Sequence, residues 1–234
     1  MHARYLFGSL LFVSFACAST PAPHAPAMGA AAHEAEAAAH ERAAAEEAAA
    51  FESSLGRWRT RCLPNAVEGA DVPCWTRREN PTQEHLDRAA AQRRLAAEHR
   101  AAAQTLRDAE ARACAGVPEG DLSTSPLQRS ADILTVEPLL SWGPPKPFGT
   151  LEGAAIVLRA VPGLTYDYMR QLVACHLARN AAMGFALPEM ASCPLSVPGA
   201  TATVEASDGG FRIEVRGDDA EEILARAHRL AEDH

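Results

Sequence analysis

A cysteine and a histidine lie side by side in the segment LVACHLARNAAMG, residues 172–184, and an asparagine follows four positions after the histidine. Cysteine, histidine and asparagine are the side chains of a nucleophilic thiol site, in which the histidine activates the thiol. On a helix, however, the side chains of Cys175 and His176 diverge by about 100° and cannot face each other across a site. The spacing therefore argues against catalysis by Cys175, His176 and Asn180, and we expect neither enzyme activity nor a cofactor.

The helix that must position these residues is predicted over 165–183. Thr165 is a suitable N-cap, and Gly184 ends the pattern. Helical spacing places Cys175 on one stripe with Tyr168, Leu172 and Ala182. We therefore expect Cys175 to face the core and to form a disulfide with Cys193.

Three polar residues on the same predicted helix then remain as candidates for a binding surface. Asn180 is four positions after His176, so the two side chains share one face of the helix. Arg179 lies beside Asn180 in sequence. We expect His176, Arg179 and Asn180 to reach the surface, where they form a possible contact site.

Histidines in an alanine-rich region raise a separate possibility, a metal site. His33 and His40 are seven residues apart on one predicted helix, a rise of about 10.5 Å, so they cannot share an ion. If a second helix returns antiparallel to the first, His40 comes within about one turn of His99. Imidazole ligands suit zinc or copper, and His40 with His99 is the alternative functional hypothesis.

The remaining cysteines fit an exported protein, because disulfides persist in oxidising compartments. Cys62 and Cys74 bracket a loop with Pro64, Gly69 and Pro73, and we expect them to form a disulfide. Cys114 is then left without a partner.

The start of the chain has the form of a secretory signal peptide. A basic residue, Arg4, precedes an apolar run from Tyr5 to Ala16, which is shorter than the roughly 20 residues of a spanning helix. The run ends in SFACAS, residues 14–19, where small residues surround Cys17. This stretch resembles the lipobox of bacterial lipoproteins, and the resemblance implies that Cys17 is acylated and becomes the mature N-terminus. Simple cleavage at Ala16-Cys17-Ala18 is the alternative.

Composition narrows the range of partners. The chain has 22 basic and 30 acidic residues and a formal net charge of −8, and no long run of basic residues stands out. We therefore expect no nucleic acid partner. The expected partners are the membrane, through the lipid anchor, and a protein of the cell envelope.

The element pattern predicts an α+β protein. Alanine and glutamate are strong helix formers, and they dominate two segments that read as an antiparallel helical hairpin. The last third shows a β-α-β-β-α pattern, typical of a small sandwich, in which Phe211, Ile213 and Val215 alternate with charged residues. The expected parts are a signal peptide (1–17), a Pro/Ala-rich disordered tether (18–29), the hairpin (30–116), a linker (117–150) and the α+β domain (151–234).

Together these features predict a non-enzymatic lipoprotein of the bacterial envelope that acts as a membrane-anchored spacer and interaction module. The expected location is the periplasm, with the outer membrane favoured over the inner. The alternative is a periplasmic protein that binds zinc or copper.

Overall fold

The computed structural model describes residues 27–63, 73–143, 146–186, 192–207 and 209–232. The predicted signal peptide, Cys17 and most of the predicted tether lie outside these residues. The described elements are α1 (Ala30–Ala49), β1 (Arg57–Cys62), β2 (Cys74–Glu79), α2 (Gln83–Ala113), α3 (Glu119–Leu122), β3 (Ile133–Gly143), β4 (Lys146–Arg159), α4 (Tyr166–Ala182), β5 (Thr201–Ser207), β6 (Gly210–Arg216) and α5 (Ala220–Glu232). The predicted α+β class is confirmed.

Helices α1 and α2 pack as an antiparallel pair through alanine. The buried positions recur every seven residues, the repeat that keeps a narrow seam facing a partner helix. Small side chains at this seam let the two backbones approach closely. Leu95, a larger apolar residue of α2, is exposed and lies outside this seam. The buried alanines are Ala30, Ala37 and Ala44 on α1 and Ala89, Ala96 and Ala103 on α2.

The connection between the two helices is a β-ribbon rather than a simple turn. Helix α1 ends at Ala49, and Trp58 lies in β1. Strands β1 and β2 pair antiparallel from Arg57↔Glu79 to Cys62↔Cys74. At the base of the ribbon, the side-chain amide of Asn80 donates to the carbonyl of Glu52 at 2.8 Å.

The C-terminal part is a four-stranded antiparallel sheet in the order β3-β4-β6-β5. Helices α4 and α5 cover one face, where Met169 and Ile223 pack with Ile156 and Ile213 in the core. The opposite face is polar, as the alternation in β6 predicts. It carries ion pairs from Arg212 to Glu137 at 3.0 Å, and from Arg216 to Glu214 at 2.8 Å and to Glu152 at 3.4 Å.

The prediction of a linker over residues 117–150 is wrong for its second half. Residues 133–143 form β3, which is hydrogen-bonded along β4, and the sheet therefore begins before residue 151. Leu127 and Ile133 are buried in the same core. The apolar residues of this segment are spaced irregularly because β3 contains bulges, so no clean alternation marks the strand in the sequence.

The hairpin and the sheet domain contact each other at one end of the hairpin. The end of α2 packs on α4, and Arg179 of α4 forms an ion pair with Glu110 of α2 at 3.5 Å. Just before α1, the backbone of Gly29 lies against Gly184 at the end of α4. A Cβ atom placed on Gly29 would lie 2.5 Å from the nitrogen of Gly184, so this close approach requires glycine.

Candidate functional site

Helix α4 is buried on two faces. Cys175 was expected to face the core, and His176 with Asn180 to face the solvent, but the structure places His176 and Asn180 on the face toward the sheet and Cys175 on the other buried face. The stripe that contains Cys175 faces the end of α2 and the segment after it. Along this stripe, Tyr168 donates to Asp121, Gln171 to the carbonyl of Ala115, and Arg179 to Glu110. The face toward the sheet contains Met169, Val173, His176 and Asn180.

The disulfides differ from the prediction in one of two cases. The Cys62–Cys74 bridge is present and closes the tip of the ribbon. The predicted Cys175–Cys193 bridge is wrong, because Cys175 is bonded to Cys114 and Cys193 is a buried free thiol. The physical reason is the packing of α2 on α4, which brings Cys114 to the face that carries Cys175.

His176 and Asn180 do not reach the surface, contrary to the prediction. Their exposed fractions are 3% and 1%, because both side chains lie on a buried face of α4. The amide nitrogen of Asn180 donates to Ser196 Oγ at 2.9 Å, which satisfies a polar group that would otherwise be costly to bury. Arg179 is half-buried and paired with Glu110. The predicted contact surface at His176, Arg179 and Asn180 is therefore not formed.

Cys193 and His176 lie together inside the core. The distance from Cys193 Sγ to His176 Nε2 is 3.5 Å, and Ser125 Oγ lies 3.5 Å from the same sulfur. Burial, together with the charge of nearby Arg179, lowers the pKa of His176 to about 4. Burial also raises the pKa of the Cys193 thiol. At neutral pH the pair is an uncharged thiol beside an uncharged imidazole.

This arrangement is unsuited to nucleophilic chemistry. The reactive form of cysteine is the thiolate, which requires a lowered pKa and access to substrate. Cys193 has a raised pKa and is 4% exposed. The polar groups around it act instead as internal hydrogen-bond partners in the core.

A histidine cluster lies on the hairpin, where the antiparallel register predicts it. The ring centroids of His40 and His99 are 5.4 Å apart, and the rings are stacked. His33 also joins the cluster, because its Nδ1 lies 2.9 Å from Nδ1 of His99. His40 Nδ1 lies 2.6 Å from the side-chain oxygen of Gln92. His99 therefore lies between two histidines that are too far apart to meet directly.

Within the described part of the chain, no group of three or more histidine, cysteine, aspartate or glutamate side chains is arranged to hold a metal ion. His33 and His99 supply two nitrogens that point toward each other. The metal role expected for His40 and His99 stays a prediction.

The β-ribbon concentrates arginine and tryptophan at the far end of the hairpin. Its two strands hold five arginines and one glutamate, a net charge of +4. The connecting loop adds Glu68 and Asp71, which leaves residues 57–79 at +2 in a chain of −8. Trp58 and Trp75 are 72% and 49% exposed. Every residue of β1 is exposed.

Both faces of the ribbon carry this combination. Strand alternation and the register place Trp75 on one face with most of the arginines, and Trp58 on the other face with Arg78. On the second face the hydroxyls of Thr60 and Thr76 lie 3.1 Å apart. The arginines of the first face are Arg57, Arg59, Arg61 and Arg77.

The arginines of the ribbon are only partly neutralised. Glu79 pairs with Arg61 at 2.8 Å and with Arg59 at 3.6 Å. No described carboxylate lies within ion-pair distance of the other three. All three line a cleft of about 1060 Å³ between the ribbon and the start of α2. The arginines without an ion pair to a described residue are Arg57, Arg77 and Arg78.

This surface was not predicted from the sequence. The chain has no continuous basic run at this place. In RWRTRC arginine occupies every second position, and in CWTRRE two arginines are adjacent, so the basic residues are divided between two strands. Alternating arginines just before the first cysteine of a predicted disulfide, with further arginines just after the second, are the signal that identifies a charged ribbon.

The chain matches no known protein family, no curated protein and no solved structure. No helix among the described residues is long and apolar enough to cross a bilayer. The residues themselves must therefore support any functional assignment.

Proposed function

We propose that this chain is a non-enzymatic protein of the bacterial envelope, exported and anchored through an acyl chain on Cys17. In this proposal the alanine-packed hairpin is a spacer with the sheet domain at one end. The ribbon at its other end is the contact surface for another envelope component. The observation that carries the proposal is the ribbon, whose arginine and tryptophan side chains are exposed although they stabilise no core.

The position of the ribbon supports a spacer role. Helix α1 has 20 residues, which corresponds to a length of about 30 Å. The ribbon follows the end of α1, whereas the sheet domain packs near its beginning, at Gly29 and Gly184. The hairpin thus separates the two by most of the length of α1.

The two disulfides fit a protein that matures in an oxidising compartment. The closed environment of His176 and Cys193 supports a non-enzymatic role, because their polar atoms bond within the core instead of facing a cleft.

Fractionation of cells that produce the full chain and a Cys17→Ser variant tests the anchor. We expect the full chain to remain with membranes after a wash at about 1 M salt, since such salt screens electrostatic contacts to about 3 Å but leaves an acyl anchor in place. The Cys17→Ser variant should be released by the same wash. Release of both proteins, or retention of both, would contradict anchoring at Cys17.

A second candidate function is binding of a transition metal by the hairpin, and the specific observation in its favour is the His33–His99 contact. Two ligand nitrogens 2.9 Å apart fit one ion at about 2.05 Å from each with an angle of about 90° between them. Such an angle suits a tetragonal site, the geometry of Cu²⁺. His40, stacked on His99, holds the ring of His99 in place.

Calorimetric titration of the mature chain with Cu²⁺ tests this second candidate. We expect one ion per chain, with binding lost in His99→Ala and kept in His228→Ala, a change at an exposed histidine of α5. Absence of stoichiometric binding, or equal loss in both variants, would rule out the metal function.

A further inference from the structure

We propose that the Arg/Trp ribbon, residues 57–62 and 74–79, binds the surface of an anionic phospholipid membrane. This inference rests on the proposed function and names the component that the ribbon contacts. It adds a second membrane contact, made by side chains and independent of acylation at Cys17.

The charges of the ribbon complement lipid phosphates. Three arginines, Arg57, Arg77 and Arg78, have no ion pair with a described residue. A guanidinium group presents several N–H donors in a planar fork that matches a phosphate group. Arginines near an anionic bilayer are attracted by its surface potential. The acidic remainder of the chain would be repelled, so the ribbon is the part that can approach such a surface.

The tryptophans supply the second requirement of a membrane contact. An indole ring is apolar with one N–H donor, and tryptophan concentrates at the boundary between headgroups and acyl chains. Trp58 and Trp75 are exposed on the ribbon. Neither is needed for the hairpin seam, which consists of alanine.

The distribution over two faces favours a membrane over a folded partner. A folded protein that docked on one face would leave the tryptophan of the other face in water, because Trp58 and Trp75 lie on opposite faces. A ribbon lying within the headgroup layer is surrounded, so arginines of both faces reach phosphates. The Cys62–Cys74 disulfide keeps the two strands paired at the tip, which lowers the entropy lost on binding.

Vesicle binding of the mature chain, residues 18–234, tests this inference. These residues include every position that the structure describes and exclude Cys17, so acylation cannot contribute. A Trp142→Phe background leaves Trp58 and Trp75 as the only tryptophans. We expect their fluorescence to shift to shorter wavelength with vesicles of phosphatidylglycerol and phosphatidylcholine, and not with phosphatidylcholine alone.

A matched pair of double variants separates the ribbon from general charge. Arg57→Gln with Arg77→Gln should weaken binding about 30-fold, since each arginine near an anionic surface contributes about five-fold. The control is Arg93→Gln with Arg94→Gln, which removes the same charge from exposed positions on α2 and should change binding less than about two-fold. Thermal melts should be unchanged in both, because all four side chains are exposed.

Three results would overturn the proposal. They are equal binding to neutral and anionic vesicles, equal losses in the ribbon and control variants, and tighter binding to a single-stranded oligonucleotide than to anionic vesicles at the same salt concentration. The fractionation test of Cys17 is independent of these results. If any of the three appears while the full chain still stays with membranes in high salt through Cys17, the binding of the ribbon to lipid is ruled out and the anchored-spacer proposal remains.

Discussion

The Cα atoms of Cys114 and Cys175 lie 4.6 Å apart, joined by a disulfide that ties the end of α2 to the middle of α4. This bond connects the hairpin to the sheet domain and encloses α3 and the β3–β4 pair. The Cys62–Cys74 disulfide, by contrast, links neighbouring strands of the ribbon. The two bonds therefore constrain the chain on different scales.

Removal of the two disulfides should have unequal effects on stability. The Cys114–Cys175 bond spans 61 residues and the Cys62–Cys74 bond spans 12. In the chain-entropy description these loops correspond to about 4 and about 3 kcal/mol. We expect the paired cysteine-to-serine variant at 114 and 175 to lose more free energy of unfolding in urea than the matched variant at 62 and 74. The opposite order would show that the loop between α2 and α4 is not restrained as the structure indicates.

The buried thiol predicts slow chemical labelling. Cys193 is enclosed by the core and has a raised pKa, so a thiol reagent should not modify the native mature chain on the timescale of minutes. In denaturant we expect one thiol per chain to react, and none in Cys193→Ala. Rapid labelling of the native chain, or labelling at Cys114 or Cys175, would contradict the disulfide assignment.

Because His176 is buried, we expect the folded chain to lose stability in mild acid. Its pKa is about 4 in the folded chain and 6.5 in the unfolded chain, so between these values only the unfolded chain takes up the proton. The free energy of unfolding should therefore fall as pH drops from 6.5 to about 4, by up to about 3 kcal/mol.

Two variants isolate this contribution of the buried histidine from the titration of carboxylates. His176→Gln should flatten the pH dependence in urea melts at a series of pH values, whereas His228→Gln, at an exposed histidine, should leave it unchanged. Parallel pH profiles for all three proteins would mean that His176 is protonated in the fold.

The alanine seam predicts sensitivity to larger side chains on one face of α2. Ala96 is fully buried against α1, and the adjacent Ala97 is exposed. We expect Ala96→Leu to lower the free energy of unfolding by about 1–3 kcal/mol, the usual cost of overpacking. Ala97→Leu is the control and should have little effect. Equal urea midpoints for the two variants would rule out close packing at Ala96.

The parts of the fold that sequence reasoning predicts correctly depend on local patterns. Strand β6 is recognisable because Phe211, Ile213 and Val215 alternate with charged residues, and period two describes a strand with one buried face. The meeting of His40 and His99 follows from helix length and an antiparallel return.

The incorrect predictions concern which elements meet in space. Helix α4 is buried on two faces, so periodicity alone cannot show that Cys175 faces α2 and not the sheet. His176 and Asn180 are polar, which suggests a surface position. They are buried because Cys193 and Ser196 supply hydrogen-bond partners, and these lie in a loop whose position is set by tertiary packing.

Photo-crosslinking in intact cells tests most directly that the ribbon is the contact surface. A photoreactive amino acid at position 58 lies in the ribbon, and the same group at position 97 lies on the exposed face of α2. We predict that irradiation forms adducts with a lipid or protein of the envelope from position 58 and few or none from position 97. Equal yields from both positions, or adducts from position 97 alone, would contradict the assignment of the ribbon.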